Sequence, residues 1–224
     1  MRRQQRGGRG GWGGGRATVG GGGLTPWVTN LILANGALYI LGSFGLLPLE
    51  WQVYHLGFSP RWILQQPWTP VTYMFVHGGL GHIFINMLIL YFFGPPLERA
   101  WGSEKFVKYY AVAGLGGALF SLVLSPLVGT APVVGASGAI YGVMLAFALN
   151  WPEVPVYIWG ILPVKSKWLV AGMAFFSFYS TLTGQTGGVA EWAHLGGLVT
   201  GYLFLRLYWN GPSIGELFGG GRRR

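Results

Sequence analysis

Residues 105–127 read KFVKYYAVAGLGGALFSLVLSPL, a run whose only charges, Lys105 and Lys108, sit at one end. An α-helix rises about 1.5 Å per residue and the hydrocarbon core of a bilayer is about 30 Å thick, so roughly 20 apolar residues are needed to cross it. This run meets that length, and the rest of the chain repeats the pattern. Apolar stretches recur at 27–47, 81–96, 137–151, 167–183 and 192–209, separated by polar or Pro/Gly breaks. The first of these is also long enough to span; the others are slightly shorter. The expected fold is an all-α, polytopic membrane protein with six transmembrane helices.

Composition supports that reading. The 224 residues are 51% hydrophobic and 9% charged, with a mean hydropathy of +0.44, whereas soluble domains carry about 25% charged residues. Too little charge is present to cover a water-facing surface. Asp and Cys are both absent, which excludes aspartyl and thiol catalysis, an Asp-containing triad, disulfides and cysteine-ligated zinc.

The 15 basic residues are concentrated at the ends. Residues 1–23 hold five Arg, eleven Gly and no acid, and Arg222, Arg223 and Arg224 close the chain. With so little apolar surface to bury, the 1–23 arm is expected to be disordered. No apolar run followed by a small-residue cleavage site marks it as a secretory signal, and its Gly content works against the amphipathic helix of a mitochondrial leader. Anchoring to anionic membrane lipid is favoured over nucleic-acid binding. The expected organisation is thus a cytoplasmic arm (1–23), a membrane domain (24–210) and a basic cytoplasmic tail (211–224).

With the N-terminus in the cytoplasm, six spans return the C-terminus to the same side. Fourteen of the 15 basic residues then lie on the cytoplasmic side and only Arg61 lies opposite, as the positive-inside rule requires. The segments 48–80, 128–136 and 184–191 face the other side. A bacterial inner membrane is the expected location. Segment 48–80 is too long for a simple connection and carries Trp51, Tyr54, Trp62, Trp68 and Tyr73, aromatics suited to the headgroup layer; a folded loop partly immersed in the outer leaflet is expected.

Polar residues inside a membrane are costly and draw attention as functional candidates. Ser137 stands between small residues, Gly135-Ala136-Ser137-Gly138, where the fourth run begins. Backbone N–H groups without intrahelical partners lie beside a residue at such a junction. Taken alone, a helix cap or small-residue packing explains such a serine as well. His194 opens the sixth run, and His82 and Asn86 lie one helical turn apart at the start of the second. The derived topology puts all four at one depth, near the outer ends of three helices that run the same way. Gly138 and Gly142 form a small-xxx-small stripe on the fourth helix, matched by Gly197 and Gly201 on the sixth. Close approach along these stripes brings Ser137 within reach of His194. Tyr141 shares the face of Ser137 and can stack on the imidazole. With no Asp in the chain and Glu191 read as part of the preceding loop, a Ser-His dyad is the simplest arrangement.

These residues, in this order and spacing, resemble the rhomboid intramembrane serine proteases of the six-helix type. The resemblance extends to Pro67-Trp68, to Thr72-Tyr73-Met74-Phe75-Val76-His77-Gly78, and to Gly94–Tyr110 with Leu97-Glu98 and Gly102-Ser103-Glu104-Lys105-Phe106. It covers most of 24–210. The resemblance implies that Ser137 is the nucleophile and His194 the general base, with the Ser137 N–H and the side chains of His82 and Asn86 as the oxyanion hole. It also implies single-span membrane proteins as substrates, cut where the helix unwinds next to a small residue. His77 matches a further family histidine, read here as structural. No metal and no cofactor are expected, since His77 and His82 lack a His-Glu-x-x-His setting or an adjacent carboxylate. The alternatives are an inactive relative that binds membrane clients, an acyltransferase using the same dyad, and a small transporter, for which no matched pair of interrupted helices is visible.

Overall fold

The computed structural model describes residues 22–158, 160–183 and 189–218. The expectations for arm 1–23, loop 184–191 and the terminal arginines therefore fall largely outside the described residues. Helix α1 (Pro26–Ser43) starts with Pro at its first position, where the missing N–H costs nothing and the fixed φ suits a helix. Its N-terminal groups are capped from another helix. The buried Glu98 carboxylate accepts bonds from Thr25 Oγ1 at 2.5 Å and from the backbone N–H groups of Trp27 and Val28, both at 3.0 Å. Ser103 Oγ adds a fourth at 2.6 Å.

The segment that follows α1 is folded, as expected, into α2 (Leu49–Leu56), a 3-10 turn at Pro60–Trp62, α3 (Thr69–Thr72) and a second 3-10 turn at Tyr73–Phe75. Trp51, Tyr54 and Trp68 are exposed. Tyr73 departs from the expectation: it is fully buried, and its hydroxyl donates to the Gly114 carbonyl at 2.7 Å. Alternation of aromatic and apolar residues in this segment does not distinguish a ring turned to lipid from one turned inward.

Helix α4 (Leu80–Trp101) contains Pro95 and Pro96 and continues five residues beyond the sequence-read limit at 96. A proline loses one helical bond and normally ends the run. Here every residue from Phe93 to Glu98 is buried against neighbouring helices, and that packing carries the helix past the break. Helix α5 (Ser103–Val128) follows after Gly102. Helix α6 (Ser137–Asn150) is buried on all sides except at Ser137 and Tyr141. At 14 residues it is about 21 Å long, and it packs among α4, α5, α7 (Ser166–Thr183) and α8 (Val189–Tyr208). A short helix, α9 (Ile214–Phe218), returns toward the base of α6.

Among the described residues the bundle is all-α apart from one hairpin between α6 and α7. Strand β1 (Pro155–Ile158) pairs antiparallel with β2 (Leu162–Lys165), Tyr157 opposite Pro163. Gly160, at φ +71°, turns the chain, and Glu153 at the root pairs with Lys165 (2.7 Å) and with Lys167. Those two ammonium groups hold the Glu153 carboxyl below its ordinary range.

Among the described residues, α4 and α5 are long and apolar enough to cross a bilayer, with mean hydropathies of 1.5 and 1.7, and α6 is apolar but shorter. The outer surface is apolar as well. Leu33, Phe84, Leu119, Val123, Phe175, Phe176 and Leu207 are exposed, large apolar side chains turned outward from five different helices.

Candidate active site

The loop that leads into α6 is held before the helix begins. Phe58 and Val133 exchange backbone bonds, the Phe58 N–H at 2.9 Å and the Val133 N–H at 2.7 Å. Ser59 Oγ donates to the Thr130 carbonyl at 2.7 Å. The Gly135 N–H then donates to the Tyr73 carbonyl at 2.9 Å. At Gly135 the backbone sits at φ +115°, a conformation L side chains avoid. A β-carbon there would also press on His82 Nε2, 2.6 Å away. Gly135 thus serves two ends: it makes the turn that starts α6, and it leaves room for the His82 ring two residues from Ser137.

Ser137 is the first residue of α6, beside the end of the helix where N–H groups lack intrahelical acceptors. Across the interface, α8 lies against α6 with almost no side-chain material between them. A β-carbon on Gly197 would land on the Gly138 carbonyl, and one on Gly201 would reach the Tyr109 hydroxyl at 2.6 Å and the Gly142 Cα at 3.4 Å. Tyr109 itself donates to the Gly142 carbonyl at 2.7 Å, fastening α6 to α5. The two glycine stripes therefore face each other.

That approach brings His194 to Ser137. His194 Nε2 lies 2.8 Å from Ser137 Oγ, within hydrogen-bond distance. Tyr141, one turn along α6, stacks on the imidazole with ring centroids 4.3 Å apart and planes 4° from parallel. Glu191, read from sequence as a loop residue, instead occupies the first turn of α8, three residues before His194.

His82 and Asn86 lie one turn apart on α4, as spaced in the sequence. Asn86 is buried, and its amide donates to the His82 carbonyl of the same helix at 2.9 Å. His82 Nδ1 accepts from the Gly78 N–H at 3.4 Å. His77 is buried against it, ring centroids 4.9 Å apart, with Nδ1 donating to the Phe75 carbonyl at 3.3 Å. Burial, and secondarily the neighbouring His82, lowers the His77 pKa to about 4, so this ring is neutral at physiological pH. Among the described residues no group of three or more His, Cys, Asp or Glu could hold a metal ion.

Residues 64–211 match the Rhomboid domain family. The chain belongs to the rhomboid family. Among its curated relatives, Rhomboid protein 1, mitochondrial, of Saccharomyces cerevisiae is 32% identical over 58% of this chain and 38% of its own length. Rhomboid-related protein 1 of Caenorhabditis elegans is 31% identical over 66% of this chain and 41% of its own. The putative rhomboid protease YdcA of Bacillus subtilis is 29% identical over 80% of this chain and 87% of its own. This rhomboid protein thus spans less than half of the yeast and worm relatives and most of the bacterial one. It is a multi-pass membrane protein.

Three contributors to the site were not read from the sequence as such. Tyr73 and the Phe58–Val133 bridge fix the loop before Ser137, and Ser177 of α7 donates to the Tyr141 hydroxyl at 3.2 Å. Tyr73 holds the loop through its backbone carbonyl, which accepts from the Gly135 N–H, a contact that no side-chain pattern reveals. The other two depend on contacts between segments far apart in the chain.

Proposed function

We propose that this rhomboid-family protein is an intramembrane serine endopeptidase that cuts single-span membrane proteins with a Ser137–His194 dyad. The observation that carries the proposal is the 2.8 Å contact between His194 Nε2 and Ser137 Oγ at the start of α6. A serine hydroxyl is a weak nucleophile until a base within hydrogen-bond reach takes its proton.

In this reading His194 removes that proton as Ser137 Oγ attacks the scissile carbonyl. The C–N bond breaks, His194 returns the proton to the leaving amine, and a water then hydrolyses the Ser137 ester by the same base. The negative charge on the carbonyl oxygen is met by the Ser137 N–H, which lies at a helix start, and by His82 and Asn86. The Asn86 amide spends one N–H on the His82 carbonyl and has its second N–H to offer the oxyanion. A helical substrate has its peptide bonds shielded by its own hydrogen bonds, so segments that unwind readily are the ones cut. Six spans, both termini on the cytoplasmic side and the 48–80 segment dipping into the outer leaflet complete the proposal. Supporting it are the stacking of Tyr141 on His194 and the family membership.

Purified protein in detergent, mixed with a generic single-span substrate, should yield two fragments, and its Ser137→Ala variant none. Absence of cleavage across a panel of such substrates would favour client binding without hydrolysis.

A further inference from the structure

We infer that Ser177 of α7 is a positioning residue for the dyad, acting through Tyr141; the inference rests on the Ser137–His194 reading. Within α7, Thr181 and Thr183 turn their hydroxyls back to carbonyls four residues earlier, Ser177 O at 2.7 Å and Tyr179 O at 3.0 Å. That is the usual way a helix in a membrane satisfies a hydroxyl. Ser177 instead reaches across to a different helix. Its Oγ donates to the Tyr141 hydroxyl at 3.2 Å, and the residue is only 1% exposed.

Tyr141 has two anchors as a result. Its ring lies flat on His194, 4° from parallel, and its hydroxyl, at the far end of the same ring, is tied to α7. Stacking alone resists separation of the rings but does little against sliding or in-plane rotation, because the interaction varies gently with offset. The hydroxyl bond fixes that remaining freedom. A continuous line of contacts therefore runs from Ser177 through Tyr141 and His194 to Ser137 Oγ, in steps of 3.2, 4.3 and 2.8 Å. Only Ser166, Val170, Ser177 and Ser180 of α7 are buried. Catalytic geometry tolerates little misplacement, and small shifts of a base lower rate before they lower stability.

The test is the rate at which a small fluorophosphonate probe labels Ser137, which needs the dyad but no substrate docking. Ser177→Ala and Tyr141→Phe should each slow labelling about three- to tenfold, the range one neutral hydrogen bond supplies. The double variant should be no slower than either single one, because both remove the same bond. Ser177→Thr, which keeps the hydroxyl, should label close to the wild-type rate. If the bond is only a strut between α6 and α7, Ser177→Ala will lower the unfolding temperature and leave the labelling rate unchanged, and that result overturns the inference. So does multiplication of the two single effects in the double variant. A wild type that never labels overturns the dyad reading itself, whereas normal labelling of Ser177→Ala leaves the dyad standing and removes only Ser177.

Discussion

At the scale of the residue, the site joins groups from three helices that have no sequence proximity. Ser137 and His194 are 57 residues apart and meet at 2.8 Å, while His82 overhangs the Gly135 turn from α4. The oxyanion assignment makes a quantitative demand. Removing one donor elsewhere costs about 10²–10³ in rate. His82→Ala and Asn86→Ala should each lower turnover in that direction without lowering the unfolding temperature, with smaller losses where one donor substitutes for the other. Unchanged turnover in the double variant would remove both from the role. These four polar residues stand out in the sequence because each is expensive in an apolar run and the topology expected from the charges gives them one depth. Ser177 was not, since a serine within Phe175-Phe176-Ser177-Phe178 looks like any other small helix residue until its partner on α6 is known.

At the scale of the element, helix limits read from hydropathy agree with the structure within a few residues, except at the end of α4. The sequence rule that proline stops a helix was overruled there by burial of Phe93–Glu98. What that extra turn accomplishes is the delivery of Glu98 to the N-terminus of α1. Glu98→Ala would leave two backbone N–H groups and the Thr25 and Ser103 hydroxyls without this acceptor. Buried groups stranded in this way cost about 1–3 kcal/mol each. The variant should therefore unfold several degrees lower in detergent, as followed by tryptophan fluorescence, while retaining its site chemistry at low temperature. An unchanged midpoint would mean that solvent replaces the carboxylate freely. The β1–β2 hairpin was not legible: strands of four residues are too short for alternation to stand out beside long apolar helices.

At the scale of the whole molecule, the orientation rests on the distribution of charge, and the absence of native cysteine makes it simple to test. A single cysteine at Arg61 should react with a non-permeant maleimide from the outer face of intact cells, and one at Lys105 only after the membrane is opened. The reverse pattern would invert the topology. Helix α6, about 21 Å long, is shorter than a hydrocarbon core of about 30 Å; under the proposed topology its Ser137 end would lie below the outer membrane surface, beside a hydrated recess. Facing glycines on α6 and α8 then set the separation at which serine and histidine meet. That packing was legible from the glycine spacing, whereas the loop contacts that aim the start of α6 were not, because they join residues more than 60 apart, such as Phe58 and Val133.

The central claim is that His194 activates Ser137, and fluorophosphonate labelling followed by mass spectrometry measures it directly. The wild type should be labelled at Ser137 and the Ser137→Ala variant not at all. The His194→Ala variant should be labelled more slowly by about 10²-fold or more, the usual contribution of a general base. Full-speed labelling of Ser137 in the His194→Ala protein, or a wild type that is never labelled, would contradict the account.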